Sequence, residues 1–256
     1  MNRTGLGTYH RTMRLRIIVA NIQSGIGVTR NYRQYLTSGW RYLLPHDSRG
    51  VIDAGTFLRA EEADVALLTE VDGGSRRSRN VSQLDRIVED SGLPEARFFS
   101  TRSVGTSINE GNAVITRFPV VSERAHPLAS RLNPRVLGET VLALPDGSSL
   151  TAFVAHLALG GRQRELQLAE IAGRVKDVEG PVLLGGDFNE RDHRSFTRLL
   201  DVGLVPVSLA GYPSWKPVHA LQVLFLSRHF TRTNASVPEG ARFSDHLPLI
   251  VETELD

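Results

Sequence analysis

The chain has 256 residues, 41% of them hydrophobic and 23% charged, with a formal net charge of only +2, the composition of an ordinary globular domain. No run approaches the roughly 18 consecutive apolar residues that a membrane span needs, so no stable membrane span is expected. The absence of cysteine excludes disulfides and thiolate metal ligands, and a cytoplasmic location is the one expected. The basic residues are 28 arginines with only Lys176 and Lys216. Arginine suits bidentate contact with phosphate, but a general preference for arginine codons gives the same count.

Residues 1–13 read as a flexible tail with no apolar run of signal-peptide length. Residues 14–256 read as a single domain, because no linker or repeat divides them. Runs with β-branched residues and turn punctuation predict strands at Leu15–Ala20, Val65–Leu68, Ala113–Ile115, Val120–Val121, Thr140–Leu144, Leu150–Ala155, Val182–Leu184, Val223–Leu226 and Leu249–Val251. Helices are predicted at Ile52–Glu62, Val81–Asp90, Arg162–Val178 and Ser195–Gly203. The third is the clearest, with Leu166, Ala169, Ile171, Ala172 and Val175 largely on one face. Asp-Gly within Leu144–Ser149 predicts a hairpin turn. Strands outnumber helices and several pair locally, so the expected architecture is two mixed sheets packed face to face with helices outside. Tyr32, Tyr35, Trp40 and Tyr42 fall in a long polar stretch; core packing is expected of them, with cover over a cleft as the alternative.

Polar residues recur where apolar strands stop. "RIIVAN" ends on Asn21, "DVALLTE" on Glu70, "LTAFVAH" on His156 and "VLLGGDFN" on Asp187 and Asn189, while "FSDHLPLIVE" opens its strand with Asp245 and His246. Alone, most of these read as a turn, a cap or a backbone partner, and Asp187-Phe188-Asn189 is the stronger signal. Together they make an oxygen-rich donor set suited to Mg²⁺ or Mn²⁺ rather than zinc. A hard cation beside a histidine and an aspartate suits attack of water on a phosphate ester. In extended backbone Asp187 and Asn189 would face one cleft while Phe188 turns to the core.

The motifs "NIQSG", "LLTEVD", "EGNAVITRFPV", "FVAHLAL", "LLGGDFNE" and "FSDHLPLIVE", in this order from Arg16 to Glu252, resemble the endonuclease/exonuclease/phosphatase superfamily. The resemblance implies a four-layered α/β/β/α sandwich and a divalent-metal-dependent phosphoester hydrolase. It implies Glu70, Asn21 and Asp245 as metal ligands. His156, Asp187, Asn189 and His246 would be the catalytic groups, with Asn112 near the cleft. Arg135, in "NPR", is a candidate contact to the scissile phosphate. The segment Pro213–Ser227 departs from the pattern, because Gln222 stands where the family has an aspartate supporting the histidine at His246. An amide orients a ring but does not stabilise its cation by charge. A phosphodiesterase or nuclease acting on DNA or RNA, and monomeric, is the reading expected. A phosphomonoesterase or phospholipid headgroup hydrolase is the alternative within the enzyme class, and a weakened metal- and phosphate-binding protein the alternative outside it. Arg76, Arg77 and Arg79, in the loop after Glu70, are read either as phosphate contacts or as a solvated loop.

Overall fold

A computed structural model describes residues 12–42, 44–46, 48–105 and 107–256. Twelve strands among them form two six-stranded mixed sheets. The first holds β1 (Met13–Asn21), β2 (Val65–Asp72), β3 (Glu95–Val104), β4 (Ile108–Thr116), β11 (Phe230–Ser236) and β12 (Leu249–Leu255), in the order β11-β12-β1-β2-β4-β3. The second holds β5 (Val120–Leu128), β6 (Arg135–Ala143), β7 (Ser149–His156), β8 (Val182–Asp187), β9 (Leu204–Val207) and β10 (Gln222–Ser227), in the order β5-β6-β7-β8-β10-β9.

Residue alternation divides the core into three. Ile17 and Val19 of β1 face inward with Leu67, Val154, Leu183 and Leu224, filling the space between the sheets. After the short helix α1 (Arg33–Ser38), α2 (Arg49–Ala60) and α3 (Gln83–Ser91) cover Ile18 and Ala20, one residue out of phase, through Val51, Leu58 and Ile87. Phe153, Ala155 and Leu184 of the second sheet pack under α4 (Gly161–Val175) and α5 (Thr197–Asp201) through Leu168, Ile171 and Leu199. The result is the expected four-layered α/β/β/α sandwich. No helix among the described residues is long and apolar enough to cross a membrane.

Of the expected tail, residues 1–11 lie outside the described residues, and Met13 already belongs to β1, paired with Leu255. The turn at Leu144–Ser149 joins β6 to β7, with Gly147 at φ +87°. The face expected of α4 is corrected. Leu166 is 52% exposed, and Gln167 points inward instead, tying Ala158 N (2.9 Å) and Ala129 O (2.6 Å).

One feature of the topology positions everything that follows. Each sheet contains a single parallel pair, β1 with β2 and β7 with β8. Parallel neighbours end on the same side, so Asn21 arrives beside Thr69, one residue before Glu70, and His156 beside Asp187.

Candidate active site

The two sheets meet at these strand ends. Asn21 Nδ2 donates to Glu70 Oε1 at 2.9 Å within the first sheet and to Asp187 Oδ2 at 3.0 Å across to the second. Asn21 Oδ1 accepts from Gln23 N at 2.9 Å, which fixes the amide's orientation. Asp187 Oδ1 accepts from Asn189 N at 2.9 Å, and Asn189 Nδ2 holds Leu157 O at 2.9 Å. His246 Nε2 lies 3.6 Å from Asp187 Oδ2, and its ring packs on Tyr212 with centroids 4.6 Å apart. Glu70, Arg135, His156, Asp187, Asn189, Asp245 and His246 thus line one cleft of about 440 Å³.

The backbone is bent to present these groups. Gln23, Ser24, Glu70 and Asn189 all have positive φ, between 46° and 56°. Left-handed backbone at non-glycine positions costs roughly 1–3 kcal/mol each and persists only where the surroundings enforce it. Glu70 sits at a register shift between Leu68 and Val71 in the pairing of β2 with β4. The bulge re-aims its side chain into the cleft. The expectation of extended backbone through Asp187-Phe188-Asn189 is corrected at Asn189, which is left-handed; Phe188 is nevertheless fully buried. The preceding glycines answer to packing. A Cβ at Gly186 would collide with Ala155 O of β7, and one at Gly185 would come 2.5 Å from Leu67 of the facing sheet.

The charges are unbalanced. Enclosure in the cleft, then the nearby carboxylates of Glu110 and Asp245, push the Glu70 carboxyl up to about 8; the Asn21 hydrogen bond opposes this. Burial alone would raise Asp187, but the histidines at 246 and 156, with the Asn21 and Asn189 donors, outweigh it and hold the group below the ordinary carboxylate range. Burial, then Arg135, depress His156 to about 3, so its imidazole is neutral at physiological pH. Burial also lowers Arg135, whose Nε is buried without a partner.

Acids crowded this way are the environment a hard cation stabilises. Among the described residues no three His, Asp or Glu side chains are grouped closely enough to enclose a metal by themselves. Mg²⁺ does not require that, since it keeps several waters and binds through one or two carboxylates. Glu70 and Asp245, both on the cleft wall, fit such an ion, and Asn21 is tied to Glu70 through its Nδ2.

Other residues depart from expectation. Gln222 is buried opposite Asp187 in the register, and its Nε2 donates to Val19 O at 3.3 Å. His246 Nδ1 is buried with no partner, so Gln222 does not fix that ring through a hydrogen bond. Asn112 lies outside the cleft wall, buried, its amide donating to Val136 O at 3.2 Å. Arg77 is buried in an ion pair with Asp72 at 2.5 Å, and so is not a solvated or substrate-facing group. Of the aromatic residues expected in the core, Tyr32, Trp40 and Tyr42 are exposed and Tyr35 is half-buried beside the cleft, as the alternative reading had it. Tyr32 is 60% exposed and meets Trp215 edge-on at 5.1 Å, and the Tyr35 hydroxyl donates to Asp245 Oδ2. Tyr212 and Glu110 carry no signal as site residues in the sequence, since neither closes an apolar strand, while Tyr35 is met there only through the alternative of cover over a cleft.

A family model described as the Endonuclease/Exonuclease/phosphatase family matches residues 19–246. The chain belongs to this family. Solved structures agree in fold. An endonuclease/exonuclease/phosphatase from Beutenbergia cavernae aligns at TM-score 0.72 with 19% identity, over 94% of this chain and 72% of that one. A mannosyl-6-phosphatase from Bacteroides thetaiotaomicron aligns at 0.66 with 19% identity, over 93% and 99%. The catalytic domain of human Nocturnin with bound sulfate aligns at 0.69 with 17% identity, over 96% and 97%. No curated protein matches the chain by sequence. The family by its own description takes in nucleases and phosphatases, so membership leaves the ester open.

Proposed function

We propose that the chain is a divalent-metal-dependent phosphoester hydrolase and that its substrate is a phosphodiester, of nucleic acid in the first instance. The observation that carries this is the junction of Asn21, Glu70 and Asp187 across the two sheets, with His156, Arg135 and His246 on the same cleft. Mg²⁺ or Mn²⁺ held by Glu70 and Asp245, with Asn21 alongside, would neutralise phosphate charge and polarise the ester.

The chain's own groups divide the remaining work. Arg135 and neutral His156 bind the non-bridging oxygens, one as a cation and the other as an N–H donor. Asp187, ionised at neutral pH, accepts the proton of the attacking water as the P–O bond to the leaving group breaks, and the departing ester oxygen takes a proton from bulk water. Asn189 holds the Asp187 carboxylate through its backbone N–H and the strand end through Leu157 O. Tyr35 fixes the Asp245 carboxylate, and burial with the Asp245 charge keeps its hydroxyl protonated. Exposed Tyr32, with half-buried Trp215 edge-on to it and Tyr35 stacked beside it, offers a ring on which a base of the substrate can stack, which favours the nucleic-acid ester.

A second reading, binding of metal and phosphate without turnover, rests on the unpartnered His246 Nδ1 and on Gln222 being tied to Val19. One assay separates the two. Product release from a chromogenic phosphodiester and from plasmid DNA is followed with Mg²⁺, with Mn²⁺ and with chelator. Hydrolysis requires the metal and falls roughly 10²–10⁴-fold in Asp187→Asn, the loss typical of a removed acid–base group. Metal binding without turnover in the unaltered chain would overturn the hydrolase reading in favour of the second.

A further inference from the structure

A second cavity, of about 400 Å³, lies outside the catalytic cleft and is lined by Arg41, Arg49 and Arg242. Its walls come from the segment Gly25–Thr29 that follows Asn21 and from Arg242–Phe243 that precede Asp245. It therefore opens at the same end of the sandwich as the cleft. Asp53 is the one acid on its wall. Among the described residues, which exclude Asp47, no carboxylate is paired with any of the three arginines. Arg16, Arg77, Arg86 and Arg164, by contrast, are so paired.

Two further features point the same way. Arg41 Nη1 is anchored on Ile26 O at 2.8 Å, but its Nε is buried and has no hydrogen-bond partner. A buried donor left unmade is costly, and a bound acceptor relieves it. The twelve-residue helix α2 begins at this wall with Arg49 and Gly50, and Ser48 caps it with no side-chain hydrogen bond. Its first N–H groups and its dipole add positive potential there. Guanidinium groups suit a tetrahedral oxyanion; of the three, Arg41 Nη1 is held by Ile26 O and Arg242 Nε by Glu239 O at 3.0 Å.

We propose that this cavity is a second phosphate-binding site, distinct from the catalytic cleft. The occupant is a phosphate group, supplied either by the substrate itself, at a distance from the scissile ester, or by free phosphate. The site's existence does not depend on the hydrolase reading; the choice of source does.

Two arms test it. In the first, inorganic phosphate is titrated into the metal-free full-length chain while the arginine Nε–H resonances are followed by ¹H–¹⁵N spectroscopy, the Arg41 signal being assigned by its loss in Arg41→Lys. The expected result is a saturable shift of that signal, with affinity at least tenfold weaker in Arg49→Gln/Arg242→Gln. Neither of those two arginines has an ion-pair partner, so the double variant should melt within a few degrees of the unaltered chain. No saturable shift, or equal affinity in a folded double variant, would overturn the proposal. In the second arm, KM is compared for a chromogenic ester carrying one phosphate and for a short single-stranded oligonucleotide. If the substrate supplies the phosphate, the double variant raises KM about tenfold for the oligonucleotide alone. If free phosphate is the occupant, neither KM moves, and the response to added phosphate is lost in the variant. Absence of turnover in the unaltered chain sinks the hydrolase reading and leaves the first arm to decide this one.

Discussion

Asp72 shows how much of the site is built by groups that never touch a substrate. Its carboxylate accepts from Arg77 Nε at 2.5 Å, Ser75 Oγ at 2.6 Å, Ser78 Oγ at 3.1 Å and Gly74 N at 2.9 Å. Arg77 continues to Ser24 Oγ at 2.8 Å and Glu110 Oε2 at 3.1 Å, and Ser24 Oγ donates to Glu70 O at 3.1 Å. This network holds the backbone of the bulged Glu70. A buried pair broken on one side typically costs about 3–5 kcal/mol. Arg77→Ala is therefore expected to lower unfolding stability by about that much in a denaturant titration. Unchanged stability with weakened substrate binding would mean that Arg77 is a phosphate contact after all. Residues that close apolar strands were readable from order alone, because a polar group ending an apolar run is conspicuous. Arg77 was not, because its partner lies five residues away across a tight turn that periodicity does not describe. Tyr35 was readable only as one of two alternatives, core or cleft cover, because an aromatic in a polar loop carries no mark of which side faces water.

Helix α4 and strand β8 behave differently as elements. In α4 the apolar positions predicted the helix and most of its buried face, but Leu166 lies outside that face and Gln167 within it. The amide wins the inward position because two backbone groups, Ala158 N and Ala129 O, need partners there. Leu166→Gln should change stability by no more than about 0.5 kcal/mol, whereas Ile171→Ala, which empties a fully buried position, should cost about 2–5 kcal/mol. Equal effects in thermal or denaturant unfolding would show the face to be misassigned. In β8 the glycines are set by neighbours. Gly186→Ala forces a methyl into Ala155 O and should destabilise by about 3 kcal/mol or more, measured the same way. Strands β3, β9 and β11 escaped the sequence reading because each is an edge strand with much of its length exposed, and edges tolerate polar residues that mask alternation.

At the scale of the molecule, the acid cluster should make stability depend on pH in an unusual direction. Glu70 is raised in the folded state to about 8, so between the ordinary carboxylate value and that pH the folded chain binds a proton that the unfolded chain has lost. Stability contributed by this group is full below the unfolded value and falls as pH rises toward 8. A divalent cation competes with that proton. The melting temperature of the metal-free chain should fall between pH 6 and pH 8.5, and the increment from Mg²⁺ should grow over the same interval; an increment that shrinks with rising pH would place the ion away from Glu70. The sandwich was legible because three alternating cores write a plain pattern, while the crossing of its ends at Asn21 and Asp187 depends on which strands run parallel. The strand order also governs how the chain is born. β1 lies between β2 and β12, and β12 is the last strand in sequence. At translation rates of roughly 5–20 residues/s, one edge of β1 waits on the order of tens of seconds for its partner to leave the ribosome. Until then Asp245 and His246 have not been placed either. A chain stopped before β12 would thus carry an open, aggregation-prone strand and an unassembled cleft, and any activity would appear only once β12 has been added.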